Sequence, residues 1–171
     1  YLFAKRSSDV ELLARARRAL ERHLASEWQA RALGLPYREP YEALIMASII
    51  EKETSRDEDR SLVAAVFVNR LRQGMLLQTD PTVIYGLGED FDGNLRKRDL
   101  LADTPYNTYM RRGLPPTPIA MTGLASLRAT LHPAPSDVLY FVARGDGSSH
   151  FSRTLSEHNQ AVTRYQKGGK P

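Results

Sequence analysis

The sequence predicts an α+β fold, in which a helical domain carries a small antiparallel hairpin and follows an N-terminal helical arm. About five segments show apolar residues at helical spacing, and they outnumber the segments with strand character. The clearest strand is residues 138–144, VLYFVAR, which is rich in β-branched and aromatic side chains. A chain dominated by helices with a small hairpin is typical of the α+β class.

Composition limits the functions that the chain can have. Its 171 residues, 42% of them hydrophobic, suffice for one domain with a substantial core. The net charge is +4, but residues 1–33 hold seven Lys or Arg against four Asp or Glu, so the remainder is nearly neutral. Nucleic-acid binding, which needs a basic surface on the main domain, is therefore not predicted. The absence of cysteine excludes disulfides, thiolate metal sites and cysteine nucleophiles.

The N-terminal segment is predicted to be a helix. Ser8 or Asp9 can cap a helix that starts near Val10. Its apolar residues recur at helical spacing and make one stripe: Leu13, Leu20, Leu24 and Trp28. The sequence GLPYREP then breaks the pattern with glycine and two prolines. We therefore predict that residues 1–35 form an arm or connector and that residues 36–171 form the main domain.

Two helices are predicted at the start of the main domain. Pro40 suits the first turn of a helix over residues 41–54. A third helix follows the polar sequence SRDEDR and closes at Gly74. The next sequence, MLLQTDPTVIYGLG, is predicted to be extended or turn-rich, with a bend at Asp80 and Pro81.

The second half of the chain is predicted to hold a long loop, a hairpin and two more helices. Residues 95–120 contain four prolines and little periodicity, which indicates a long ordered loop of the kind that often carries function. Thr122 can cap a short helix that runs to Leu131. The turn GDGSS joins the strand at residues 138–144 to an antiparallel partner, HFSRT, and a last helix covers residues 156–166.

Two glutamates at the end of an apolar helical segment are the first candidates for chemistry. On a helix, Glu53 lies beside Ile49 and Ile50, whereas Glu51 lies beside small residues. Apolar neighbours and a second nearby carboxylate both raise the pKa of a carboxyl group. Glu53 is therefore our candidate for a general acid. On spacing alone, a solvated helix end with mixed charges is the simpler interpretation.

Further candidates lie in two later segments. Asp80 could pair with Glu53, because glycoside hydrolysis commonly uses two carboxylates, although Asp before Pro also suits a plain turn residue. Tyr106, Asn107, Thr108 and Tyr109 lie in a proline-framed loop, where rings and polar groups suit carbohydrate binding. The alternative is that this loop's tyrosines pin it to the core.

The sequence predicts no metal and no cofactor. The four histidines match no metal-binding spacing: His23, His132, His150 and His158. Neither of the glycine-rich phosphate-binding motifs is present. A reaction that relies on side-chain acids and bases alone fits this inventory.

Four long motifs occur in a fixed order: MASIIEKET, VFVNRLRQGMLLQTDPTVIYGLG, PYNTYMRRGLPPTPIA and LYFVARGDGSSHFSRTLSEHN. With them, residues 36–165 resemble the catalytic domain of the endolytic murein transglycosylase family, the MltG or YceG-like proteins. The resemblance implies a lyase that cuts peptidoglycan glycan strands internally, between N-acetylmuramic acid and N-acetylglucosamine, and leaves a 1,6-anhydro end. The family's catalytic glutamate lies in the E-K-E-T motif, which we align with Glu53. Thr117 departs from the glycine that is usual in the family's proline-rich motif.

The resemblance also implies a setting for the whole protein. Family members carry an N-terminal membrane anchor and a LysM-like region, so residues 1–35 would connect the catalytic domain to a missing upstream part. We expect a single-pass protein of the bacterial inner membrane, with the catalytic domain on the periplasmic or extracytoplasmic side. Its expected partners are peptidoglycan strands, cell-wall synthases, and elongation or division proteins.

The resemblance gives each candidate residue an expected role. Glu53 acts as general acid and then as base, and Glu51 orients the site or raises the pKa of its neighbour. The remaining candidates line the cleft, contact the glycan or support the site: Gln78, Thr79, Asp80, Tyr106, Asn107, Thr108, His150, Glu157, His158 and Asn159. The histidines and the residues beside His158 also suit a purely structural role. Two alternatives stay open, namely a muramidase-type hydrolase that uses Glu53 with Asp80, and a non-catalytic glycan-binding or scaffold module of the wall-synthesis machinery.

Overall fold

The structure, a computed structural model, describes residues 2–3, 5, 8–166 and 168. This part of the chain folds into seven α-helices and one two-stranded antiparallel sheet, which confirms the predicted α+β class. None of its helices combines the length and the hydropathy of a membrane span. In order, the elements are α1 (Asp9–Gln29), α2 (Pro40–Glu53), α3 (Asp57–Arg72), α4 (Asp80–Leu87), a 3-10 turn (Gly88–Asp90), α5 (Lys97–Leu100), α6 (Leu124–Leu131), β1 (Tyr140–Ala143), β2 (Ser149–Ser152) and α7 (Leu155–Tyr165).

Helix α2 is the centre of the core. Pro40 lies in its first turn, where the missing N–H has no helical partner to lose. Every residue from Ile45 to Ile50 is buried, so this part of the helix is covered on all sides by other elements. Helices α3 and α6 supply the largest facing side chains, among them Phe67 and Leu127. This burial places the polar end of α2, where Glu53 lies, at the edge of the core.

Helix α1 packs on the main domain. Ser8 and Glu11 form a reciprocal capping box at its start, as the sequence predicted for the cap. Leu24 and Trp28 pack against the core, and α1 contacts both α2 and α6. Leu13, which was predicted to belong to the same apolar stripe, is 55% exposed. The boundary at residue 35 stays a prediction, but α1 does not stand apart from the domain.

Two predicted boundaries are wrong. The sequence around Asp80 and Pro81 was expected to bend in an extended stretch, yet it forms the first turn of α4. Proline is compatible with either structure, because the first turn of a helix needs no N–H from it. Thr122 was expected to cap the following helix, but α6 begins at Leu124, after Gly123.

The predicted hairpin is confirmed. Strands β1 and β2 pair antiparallel, with Tyr140 opposite Ser152 and Val142 opposite His150. Gly145 and Gly147 in the connecting turn have φ angles of 91° and 86°, which side-chain-bearing residues rarely adopt. Phe141 and Phe151 pack one face of the hairpin against the core, and α7 packs on both strands.

Candidate active site

Glu53 lies at the carboxyl end of α2, where the helix leaves the core. Its side chain is partly buried, and its Oε1 accepts a hydrogen bond from the hydroxyl of Thr79. Thr79 immediately precedes α4 and is itself buried. The end of α2 and the start of α4 therefore meet at this carboxyl group.

The environment of Glu53 favours its protonated form. Burial raises the pKa of Glu53 to about 7, the Thr79 hydrogen bond opposes that rise, and the negative charge of Asp80 adds to it. The direction agrees with the prediction made from Ile49 and Ile50. The carboxylate that adds to the effect is Asp80 of α4, not Glu51 as was proposed from the sequence. A carboxyl group with a pKa near 7 can both donate and accept a proton at neutral pH.

Glu51 points to a different neighbour. Its Oε2 accepts a hydrogen bond of 3.1 Å from the backbone N–H of Gly123, at the start of α6. A carboxylate is favourable at a helix N-terminus, where backbone N–H groups lack partners. A Cβ added to Gly123 would lie 3.3 Å from this carboxylate oxygen, which explains why a glycine suits the position.

Two segments beside Glu53 are joined by consecutive hydrogen bonds. The backbone N–H groups of Gln78 and Thr79 donate to the carbonyl and the hydroxyl of Thr108, both at 3.1 Å. The hydroxyl of Tyr109 donates to Oδ1 of Asp80 at 2.5 Å. Gln78 has a φ angle of 54°, and no other non-glycine residue in the described part of the chain has a positive φ. Such backbone strain persists only where surrounding contacts hold it.

Arg70 of α3 bonds to the backbone just before Gln78 and Thr79. Its guanidinium donates to the carbonyls of Leu77 at 2.9 Å and Leu76 at 3.2 Å, and to the carbonyl of Leu139 at 2.7 Å. The guanidinium also lies 5.1 Å from the centre of the Tyr140 ring. Burial lowers the pKa of Arg70. Among the described residues no carboxylate forms an ion pair with it, so its charge is balanced by carbonyls and rings.

The proline-rich loop places Tyr106, Asn107 and Thr108 inward. Asn107 and Thr108 are buried, so neither presents a surface to a polymer. The Asn107 amide donates to three carbonyls, those of Asp99 and Leu100 in α5 and that of Ala102 after it. The hydroxyls of Tyr106 and Thr117 bond to each other at 2.8 Å, which gives the unusual Thr117 a structural partner. The sequence left two roles open for this loop, carbohydrate binding and attachment to the core, and this geometry favours attachment to the core.

The candidates near the C-terminus lie on β2 and α7, and within the described residues none of them bonds to Glu53. Glu157 completes the capping box of α7, while the Asn159 side chain is exposed. His158 stacks on Tyr140 with ring centres 5.2 Å apart, and burial followed by Arg70 lowers the pKa of His158. His150 lies beside the Tyr165 ring. Only His158 connects, through Tyr140 and Arg70, to the segment that holds Thr79.

A model of the YceG-like family matches residues 1–164. The chain belongs to this family. The resemblance found in the sequence is thereby confirmed.

Named relatives and a solved structure agree with this membership. An endolytic murein transglycosylase of Bacillus subtilis is 50% identical over 125 residues, which cover 73% of this chain and 34% of the relative. A protein of the same name from Streptococcus pneumoniae D39 is 34% identical over 129 residues, with 72% and 23% covered. A crystal structure of a yceG-like protein from Listeria monocytogenes matches with a TM-score of 0.74 at 39% identity, covering 92% of this chain and 52% of that one. The chain thus spans about a third or less of the length of these curated relatives.

Arg70 of this YceG-like site was missed in the sequence, and Tyr109 was named there only as a member of the proline-framed loop. Arg70 stands at helical spacing from Val63, Val66 and Phe67, so a charged side chain on an apolar stripe was a visible signal. Tyr109 was visible only as one of two tyrosines in the loop, and nothing local connects it to Asp80. Within the described residues, no three His, Asp or Glu side chains gather as a metal site would require.

Proposed function

We propose that this chain is the catalytic part of an endolytic peptidoglycan lytic transglycosylase, with Glu53 as its acid and base. The observation that carries the proposal is a partly buried glutamate whose pKa is raised to about 7. The names of the relatives, endolytic murein transglycosylase, support the same reaction. The proposal applies to the bond between N-acetylmuramic acid and N-acetylglucosamine in nascent glycan strands.

The reaction needs one group that first gives and then takes a proton. Protonated Glu53 donates to the glycosidic oxygen, the bond from muramic C1 to that oxygen breaks, and positive charge develops at C1. The Glu53 carboxylate then removes the proton of the C6 hydroxyl, whose oxygen bonds to C1. The product is a 1,6-anhydro sugar, Glu53 is protonated again, and no water is consumed.

The surroundings of Glu53 suit both steps. A pKa near the working pH balances the ability to donate against the ability to accept. The Thr79 hydroxyl stabilises the carboxylate that exists between the steps, because a hydrogen bond to the charged form favours it. Gln78 and Asp80 are exposed beside this group, where they would line the glycan cleft.

We infer the setting of the whole protein from its family. Residues 36–171 would form the catalytic domain and residues 1–35 its connection to an upstream region. The full protein would be anchored in the bacterial inner membrane, with this domain on the extracytoplasmic side. Peptidoglycan strands would be its substrate, and cell-wall synthases or division proteins its partners.

A muramidase-type hydrolase is the second candidate, because Asp80 supplies a carboxylate next to the residue that bonds Glu53. Product masses separate the two reactions. Anhydro ends are lighter than reducing ends by one water, and they would support the transglycosylase. A non-catalytic glycan-binding module would instead bind strands without any turnover.

The deciding experiment is digestion of purified peptidoglycan by the chain and by its Glu53→Gln variant. We expect Glu53→Gln to lose activity by about 10²–10⁴-fold, the usual contribution of a general acid. Glu58→Gln makes the same change at an exposed glutamate on the first turn of α3 and should keep full activity. Undiminished turnover by Glu53→Gln would refute the assignment of Glu53.

A further inference from the structure

We propose that Tyr109 is a positioning residue whose hydroxyl fixes the Asp80 carboxylate beside Glu53, and that this fixed negative charge favours the protonated acid. The inference rests on the proposed function, in that it takes Glu53 as the acid. It assigns Asp80 an electrostatic role and no covalent or proton-transfer step. It also gives the loop that holds Tyr109 a direct part in the site.

The hydrogen bonds of Asp80 leave it dependent on Tyr109. Asp80 is exposed in the first turn of α4, so without a bonding partner its side chain would turn toward solvent. Among the described residues, the Tyr109 hydroxyl is the only group that donates to its carboxylate, at 2.5 Å. Loss of that hydroxyl would therefore release the carboxylate from its position.

The backbone links this position to Glu53. Thr79, the residue before Asp80, donates to the Glu53 carboxyl group, and Thr108, the residue before Tyr109, accepts from the Thr79 N–H. The pair Thr79 and Asp80 is therefore bonded to the pair Thr108 and Tyr109 at two adjacent positions. The two carboxyl groups and the phenol are held in one rigid arrangement rather than on independent side chains.

The charged and titratable groups around this arrangement come from five elements and one loop. Asp80 from α4 is the group whose negative charge raises the pKa of Glu53. Arg70 from α3 opposes the rise in the pKa of Tyr109, which burial and then Asp80 produce. Tyr140 from β1 lies against Arg70, and His158 from α7 stacks on Tyr140. Glu51 and Lys52 lie on α2 itself. Because the pKa of Tyr109 is raised, its hydroxyl keeps its proton and remains a donor throughout the neutral range.

A fixed like charge assists both halves of the proposed reaction. Before cleavage it keeps a larger fraction of Glu53 protonated and ready to donate. After proton transfer it makes the Glu53 carboxylate a stronger base toward the C6 hydroxyl, because two neighbouring negative charges repel. A carboxylate with this task need not touch the sugar carbon.

The direct test is a titration of the Glu53 side chain by carbon NMR in the wild-type chain and three variants. Asp80→Asn should lower the Glu53 pKa, by less than burial raises it. Tyr109→Phe removes a single oxygen and should lower it in the same direction by less. Tyr41→Phe, at an exposed tyrosine on α2, should leave it unchanged. An unaltered Glu53 titration in both Asp80→Asn and Tyr109→Phe would overturn the proposal.

Activity measurements supply the second readout. Since cleavage needs protonated Glu53, Asp80→Asn should lose a larger share of the wild-type rate at pH 8 than at pH 5.5. Folded Asp80→Asn that is inactive at every pH, or a uniform loss in Tyr109→Phe without a shifted profile, would contradict it. The titration does not require turnover, so an active Glu53→Gln would refute the proposed function without altering the measured pKa values.

Discussion

At the scale of single residues, Glu53 links the chemistry of the site to the stability of the protein. The pKa of Glu53 is about 7 in the folded chain, against a reference value of 4.5. Between these values the folded state binds more protons than the unfolded state, so the free energy of unfolding falls as pH rises. The stabilisation from this proton is complete below pH 4.5 and is lost as pH rises through 7.

The Glu53→Gln variant should reveal how much stability the wild type loses when Glu53 ionises. Glutamine keeps the shape and the acceptor for Thr79 but carries no charge at any pH. We expect it to match the wild type near pH 4.5 and to be more stable by up to about 3 kcal/mol at pH 8.5. Urea unfolding at the two pH values measures the difference, with Glu58→Gln as the exposed control. A difference in free energy of unfolding between Glu53→Gln and the wild type that stays constant with pH would contradict a buried, protonated Glu53.

The sequence predicted part of this residue-scale picture. Ile49 and Ile50 lie within one turn of Glu53, so local spacing alone gave the direction of its pKa shift. Asp80 lies 27 positions later, and only the tertiary fold brings its charge to Glu53. The same holds for Tyr109, because its one informative contact joins residues separated by 29 positions. Periodicity describes neighbours along the chain, so such contacts remain invisible to it.

At the scale of elements, the start of α6 depends on a side chain from α2. Gly123 has no side chain with which to cap the helix, and the carboxylate of Glu51 takes that role from a distance of 72 residues along the chain. The adjacent ends of the two helices are thereby joined. Two glutamates in one short motif thus serve different elements, one bonded to the start of α6 and the other to the residue before α4.

Removing that cap should weaken the fold without retuning the site. We expect Glu51→Ala to cost about 1 kcal/mol in the free energy of unfolding, the usual loss for a helix cap. Glu51→Gln keeps an acceptor and should lose less. The pH at which cleavage activity is half maximal should remain at its wild-type value in both variants. A displaced activity profile in Glu51→Gln would mean that Glu51 also acts on Glu53.

Helix α4 illustrates why one element was mispredicted. Asp followed by Pro satisfies the rules for a turn and for the first positions of a helix equally well. The decision comes from burial of Thr82 and Val83, and the Thr82 hydroxyl also bonds to that of Thr108, which lies 26 positions later. The loop was predicted over residues 95–120, but its first part forms the short helix α5, and the four prolines limit helix formation only from residue 105 onward.

At the scale of the whole molecule, α1 is attached by contacts spread along the second half of the helix and beyond it. Arg128 pairs with Glu27 at 2.8 Å, and the Ala32 N–H donates to the Leu131 carbonyl at 3.0 Å. Trp28 packs against the core between these contacts. We therefore expect α1 to unfold together with the rest of the chain.

Truncation of one aromatic side chain tests this attachment. Trp28→Ala should lower the free energy of unfolding of the whole chain by about 2 kcal/mol, less than a fully buried aromatic residue loses. Leu13→Ala on the exposed part of the same helix should change it by less than about 0.5 kcal/mol. Amide hydrogen exchange should show α1 and α2 losing protection in one step. Separate exchange of α1 in the wild type would contradict a single cooperative unit.

Because Glu53 at the end of α2 is protonated in the folded state, folding takes up a proton from the solvent. A chain that folds near pH 6 takes up close to one hydrogen ion, because Glu53 is mostly ionised when unfolded and mostly neutral when folded. The heat of thermal denaturation should therefore depend on the ionisation enthalpy of the buffer. The hydrogen ion is therefore a reactant in the folding equilibrium of this chain.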